Sequence, residues 1–264
     1  MSALRESLDA VFITGAGRGI GAAMARHLGG TGVPVVCLSR SNAAAVAEEI
    51  RSAGGTAESL CVDLSDLSGT RQAVSRWLAT THYSRFGVIL AAAVTGAPGG
   101  LTNGNLADWA QTIQVNLLGN FAALQALLPR MLEARFGRIV TLAGGGAAYA
   151  YPLFSAYAAS KAAVVRATEN LHEELSARGD FRVVCLAPGA IETDMLAAIR
   201  AAGGEARTIG KMDEPVRFVE RFLAARNCAF SGRFVHVRDS WSEFLEEAGK
   251  QLPADQWLLR RIEP

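Results

Sequence analysis

Seven short runs of β-forming, mostly apolar residues alternate along this chain with longer stretches of helical periodicity, and that alternation limits the folds open to it. The runs are Ala10–Thr14, Val33–Ser39, Ala57–Val62, Gly87–Ala92, Arg138–Ala143, Arg182–Ala187 and Arg233–Val237. Helices are predicted at Gly19–Gly30, Ala43–Ala53, Leu67–Thr80, Leu106–Ala134, Ser155–Ala177 and Glu214–Ala225. Strands that alternate with helices pair in parallel through crossovers, and a parallel sheet is covered on both faces, so its strands read as continuous apolar runs. The expected fold class is therefore α/β, a doubly wound parallel sheet of about seven strands. A chain of 264 residues, half of them hydrophobic, can bury such a sheet as one domain over 1–264.

The first strand runs into Thr14-Gly-Ala-Gly-Arg-Gly-Ile-Gly21 at the start of the first helix. Gly15, Gly17, Gly19 and Gly21 let the backbone turn tightly and approach a pyrophosphate, which the helix N-terminal amides and dipole stabilise. Arg18 and Ile20 belong to the same turn. The end of the second strand discriminates the cofactor, because NAD sites place a carboxylate there for the ribose hydroxyls and NADP needs positive charge for its extra phosphate. Here Ser39 is followed by Arg40, with Arg18 in the turn and no carboxylate, which points to NADP(H). Asp63, after the third strand and followed by Leu64, is placed to accept a bond from the adenine amino group, or to cap a helix.

Tyr157 and Lys161 are four residues apart in a predicted helix, so they lie on one face, one turn from each other. A phenol titrates near pH 10 alone, and a fixed neighbouring cation favours its ionised form, so the pair suits proton transfer near neutral pH. An amphipathic surface pair has the same spacing, and it is the glycine turn upstream that favours chemistry. Two segments, Thr95–Asn105 and Ile191–Met212, lack regular periodicity and follow strands, which places both over the carboxyl edge of the sheet where ligands bind in this architecture. The stretch 191–212 is a candidate substrate lid and 239–264 a C-terminal extension.

A formal net charge of +1 with scattered charges gives no field to gather nucleic acid or an anionic membrane. Residues Met1–Asp9 are polar, and the apolar run Val88–Val94 is too short to span a bilayer, so the expected setting is the cytoplasm and the expected partner a small molecule. Cys37, Cys61, Cys185 and Cys228 have no paired spacing and read as buried free thiols. His27, His82, His172 and His236 form no metal-ligand pattern, and no protein-held metal is expected.

Taken together, Thr14–Gly21, Asp63, Asn116 in Asn-Leu-Leu-Gly, Tyr157–Lys161 and Pro188-Gly189 followed by Thr193-Asp-Met195 resemble the short-chain dehydrogenase/reductases over almost the whole chain. The resemblance implies a Rossmann-type domain, a nicotinamide cofactor and hydride transfer to or from a carbonyl. It implies that Tyr157 is the general acid, that Lys161 lowers its pKa and bonds the nicotinamide ribose, and that Asn116 helps hold a water chain to that lysine. Pro188, Gly189 and Ile191 would line the nicotinamide, Thr193 would contact its carboxamide, and Ala91 and Ala92 would flank the cofactor. Homodimers or homotetramers built on the two long helices are also implied.

Two positions depart from the family. Its substrate-orienting serine lies thirteen residues before the tyrosine, where this chain has Gly144. Loss of such a donor costs about a hundred- to a thousandfold in rate, unless the amides around Gly144 and Gly145, or Ser155, or a substrate hydroxyl supply the bond. Ala91-Ala-Ala-Val94 replaces the usual Asn-Asn-Ala-Gly, which removes side-chain support from the central strand. The leading expectation is an NADP(H)-dependent oxidoreductase that interconverts a ketone and a secondary alcohol of a sugar or secondary metabolite. The alternatives are a catalytically weak NADP(H)-binding sensor or structural subunit, and a non-redox epimerase on the same site.

Overall fold

Parallel strands need crossovers to return the chain to the same edge, and the helices that make the return bury the faces of the sheet. In the computed structural model, which describes residues 3–206, 209–246 and 251–259, the chain begins α1 (Ala3–Ser7), β1 (Ala10–Thr14), α2 (Gly19–Gly30), β2 (Val35–Ser39), α3 (Ala43–Ser52) and β3 (Ala57–Cys61). It continues through α4 (Leu67–Leu78), β4 (Phe86–Leu90), α5 (Gly100–Asn103), α6 (Leu106–Ile113), a π-helical turn (Gln114–Gly119), α7 (Asn120–Glu133), β5 (Phe136–Leu142) and α8 (Ser155–Ser176). Then come β6 (Asp180–Ala187), β7 (Ala190–Ile191), α9 (Asp194–Ala201), β8 (Ile209–Gly210), α10 (Asp213–Ala224), β9 (Arg233–His236) and α11 (Glu243–Glu246).

All seven expected strands form one parallel sheet in the order β3-β2-β1-β4-β5-β6-β9. Alternate residues feed opposite cores, as period-two side chains must. Val11 and Ile13 join Met24, Ile50, Phe218 and Phe222 under α2, α3 and α10. Ala10 and Phe12 join Val74, Trp77, Leu124 and Met131 under α4 and α7. The strand order reverses between β1 and β4, and their carboxyl ends open a crevice there, the usual ligand position in open α/β sheets.

The edges are treated differently. Along β3 the residues Glu58, Ser59 and Cys61 are exposed, which corrects the expectation of four buried thiols: Cys37 and Cys185 are buried, Cys61 is exposed and Cys228 half-buried. An edge strand is covered on fewer sides, so its Cys61 meets solvent. At the other edge the C-terminal extension lies along β9, with Phe234 N donating to Trp257 O at 2.7 Å and Leu259 N to Glu169 Oε1 at 3.0 Å. The Trp257 ring meets Phe230 and Phe244 edge-on. Of the expected extension over 239–264, residues 247–250 and 260–264 lie outside the described residues.

The long helix expected over Leu106–Ala134 is divided by the π-helical turn at Gln114–Gly119. Gly119 lies so close to Leu64 that a Cβ there would stand 2.2 Å from the Leu64 carbonyl oxygen. The turn brings both Asn116 and Asn120 inward, 1 % and 2 % exposed, onto a backbone that has left the sheet. Beyond Leu90, the amides of Ala91 and Ala92 donate to Thr14 Oγ1 at 3.0 and 3.3 Å, and Asn120 Nδ2 donates to Ala92 O at 2.9 Å. Thr14 Oγ1 in turn donates to Asn120 Oδ1 at 2.5 Å. Asn116 brackets Val94, its Oδ1 accepting from the amide at 2.8 Å and its Nδ2 donating to the carbonyl at 2.9 Å. Support expected to be missing from Ala91–Val94 thus comes from Thr14, Asn116 and Asn120. Replacing Asn120 with Ala strands buried polar groups and is expected to lower the unfolding free energy by about 2–3 kcal/mol in urea titrations.

Candidate active site

A cleft of about 890 Å³ runs across the crevice and is lined at one end by Gly15, Gly17, Arg18, Gly19, Ile20 and Gly21 together with Ser39, Arg40, Asp63 and Leu64. Its middle is walled by Ala91, Ala92, Pro188, Gly189, Ile191 and Thr193, and its far end holds Gly144, Gly145, Tyr157 and Lys161. The volume is that of a site for a ligand larger than a typical fragment. Two expected residues are elsewhere. Asn116 lies behind the wall, and Ser155 accepts from Trp109 Nε1 at 3.2 Å beside a separate small cavity. Ser155 is therefore not the stand-in for the missing serine, because its hydroxyl is directed to another part of the fold.

The glycine turn fits a pyrophosphate on steric grounds. A Cβ on Gly15 would meet Ala92 Cα at 2.6 Å and one on Gly21 would meet Gly15 O at 2.4 Å, so the turn packs directly on β4's extension and on itself. Gly19, at φ +56°, would carry a Cβ that meets only Thr193 Cγ2 at 3.7 Å, so the first turn of α2 faces the cleft. No side chain caps that helix start, which leaves its amides for a ligand. Arg40 is 73 % exposed in its side chain and stands 3.7 Å from Asp63 Oδ2. Asp63 Oδ1 already accepts from Ser65 N and Oγ at 2.9 and 2.8 Å, and those bonds hold its carboxyl below the usual range. Thr193 caps α9, accepting from Leu196 N at 3.4 Å and donating to Ile191 O at 3.1 Å. That cap makes a short helix of 194–201, where the sequence lacks strong periodicity, and Ala190–Ile191 pairs with Ile209–Gly210 beside it.

At the far end Lys161 is 3 % exposed and donates from Nζ to Leu142 O at 2.8 Å, its Nζ 5.6 Å from the Tyr157 ring centroid. Burial pushes the lysine down to about 8 and the tyrosine up to about 12. Removal from water dominates both groups, and the ammonium is drawn to a carbonyl. Part of the Tyr157 ring stays open to the cleft, so water there works against the full rise. Either way the phenol keeps its proton at neutral pH. Ser160, not anticipated from sequence, donates to Tyr157 O at 2.7 Å and accepts from Asn116 Nδ2 at 3.0 Å. Asn116 thereby ties the first turn of α8 to Val94, spending both Nδ2 protons on position. No local spacing signals the contact of Asn116 with Ser160, which joins residues 44 apart in sequence.

The sequence model of the family described as short chain dehydrogenase matches residues 9–203. The chain belongs to that family. It is 32% identical over 217 residues to 3beta-hydroxysteroid dehydrogenase 1 of Eggerthella lenta, covering 79% of this chain and 80% of the relative. Among solved structures, a gluconate 5-dehydrogenase from Burkholderia cenocepacia in complex with NADP and tartrate superposes with a TM-score of 0.77 at 27% identity, covering 89% of this chain and 96% of that one. A 3-oxoacyl (acyl-carrier-protein) reductase from Agrobacterium tumefaciens with NADP bound gives 0.73 at 28% identity, covering 86% and 92%. The match makes the chain an oxidoreductase of the short-chain dehydrogenase family. No described helix is long and apolar enough to cross a membrane.

The buried lysine gives a pH signature. With its folded pKa lowered to about 8 from 10.5, the unfolded chain binds more protons between those values, so this residue adds stability as pH rises through that window. The protein should gain up to about 3 kcal/mol relative to Lys161→Met between pH 8 and 10.5 in denaturant titrations. The buried thiols titrate in both proteins and cancel.

Proposed function

We propose that this chain is an NADP(H)-dependent oxidoreductase that interconverts a ketone and a secondary alcohol, with a sugar or a secondary metabolite as substrate. The observation that carries the reading is a single cleft with the glycine turn, Arg18 and Arg40 at one end and Tyr157 and Lys161 at the other. NADP in the Burkholderia and Agrobacterium structures supports the cofactor. Gly15 to Gly21 would hold its pyrophosphate, Arg18 and Arg40 its ribose phosphate, Asp63 its adenine, and Pro188 to Thr193 its nicotinamide end. The nicotinamide supplies or accepts the hydride.

In the reducing direction Tyr157 gives its phenolic proton to the carbonyl oxygen as that oxygen becomes an alcohol. In the oxidising direction it takes the proton back. Lys161, fixed on Leu142 O, holds positive charge beside the phenol as the proton leaves, and Asn116 keeps the first turn of α8 in register with the cleft wall. A homodimer or homotetramer burying α7 and α8 belongs to the same reading.

Gly144 in place of the family's serine is the one observation that favours a weakly catalytic NADP(H)-binding protein instead. Retention of Asn116, Tyr157 and Lys161 in one place weighs against it. Tyr157→Phe is expected to lower turnover about a hundredfold or more while NADPH still binds, as loss of a general acid should. Arg40→Ala is expected to raise the NADPH dissociation constant about tenfold and to leave that for NADH nearly unchanged, read by fluorescence titration. An unchanged turnover in Tyr157→Phe would point to the binding-only alternative.

A further inference from the structure

The three glycines at 144–146 replace a stretch in which a side-chain donor is expected, and their surroundings differ from one position to the next. A Cβ at Gly144 would stand 2.6 Å from the Tyr157 hydroxyl oxygen, and 3.5 and 3.6 Å from Tyr157 Cζ and Cε1. One at Gly146 would meet Ala158 Cα at 3.0 Å, whereas one at Gly145 would meet nothing within 4 Å. Gly144 has φ −177°, an extended backbone that any residue adopts. What the position demands of glycine is space, and the space is taken by the phenol.

We infer that Gly144 is a positioning residue, whose missing side chain lets the Tyr157 hydroxyl settle against the backbone past β5, in the volume where the family keeps its serine. The inference rests on the reading of Tyr157 as the proton donor. The absent serine is then no simple loss: in this chain one phenol stands where the family places two hydroxyls. Several constraints fix the backbone that carries the phenol. Its helix is pinned at Ser160 to Asn116, its neighbour Ala158 is pressed on Gly146, and Lys161 one turn on is anchored to Leu142 O on the same strand end. With that backbone fixed, the ring yields to a new Cβ by swinging its hydroxyl away from Gly144. Restoring the serine would therefore move the acid from its post rather than add a second donor.

The test uses Gly144→Ala and Gly144→Ser with NADPH and 9,10-phenanthrenequinone as the carbonyl probe, together with alkaline ultraviolet titration of the phenols against Tyr157→Phe. Both variants are expected to lower kcat at least tenfold while the KM for NADPH changes less than about twofold, the split for a displaced acid with an intact cofactor site. The Tyr157 phenol, now nearer water, is expected to titrate lower than in the unaltered protein. A Gly144→Ser protein that turns over the probe as fast as or faster than the unaltered one overturns the inference while leaving the oxidoreductase reading in place. If the unaltered protein reduces no probe, that reading fails on its own, and the titration decides: an unmoved Tyr157 phenol in Gly144→Ala overturns the inference.

Discussion

Four residues of backbone, 91–94, leave the sheet at the end of β4, and five of the amides and carbonyls there, no longer part of a ladder, need other partners. They find them in three side chains. Thr14 takes the amides of Ala91 and Ala92, Asn120 takes the carbonyl of Ala92, and Asn116 takes both polar groups of Val94. This short stretch is the floor on which Gly15 rests and the wall past which a cofactor would lie. The same Asn116 reaches Ser160 on α8, so a change in the floor is felt in the first turn of the helix that carries Tyr157. The crevice of a parallel sheet is thus an opening with a hydrogen-bonded rim, and in this chain Thr14, Asn116 and Asn120 make the rim beside alanines that cannot.

Much of this was legible beforehand. Each of the seven strands lies within a few residues of its expected place, because strands buried on both faces must be apolar almost throughout and are bounded by polar or glycine-rich turns. The glycine turn was legible for a different reason: its glycines answer steric demands, 2.1 to 2.6 Å for a Cβ at positions 15, 17 and 21, that no other residue meets. Helix α9 was not legible, since what starts it is one Thr193 cap and not an apolar stripe. The π-helical turn was hidden because it needs only one extra residue in a helix, and the close approach of Gly119 to Leu64 beside it links residues 55 apart in sequence.

The proton-transfer pair shows where spacing stops being informative. Four residues along a helix put Lys161 beside Tyr157, as expected, yet spacing says nothing of water. Once both are buried, each is pushed toward its neutral form, the lysine down and the phenol up. Which carbonyl the ammonium would choose, and that Gly144 would leave room for the phenol, depend on the end of β5, more than a dozen residues away.

The seal along β9 has a consequence for how the molecule is made. That strand joins the sheet at its margin, and its outer side is satisfied in part by Trp257. Without β9 and its cover, the other six strands leave β6 as a bare edge. Until β9 docks, a long apolar strand, Phe181 to Ala187, is therefore paired with β5 on one side and has open hydrogen-bonding groups on the other. That edge closes only when β9 docks and Trp257 covers it, so the last strand of the sheet and its cover complete the fold together.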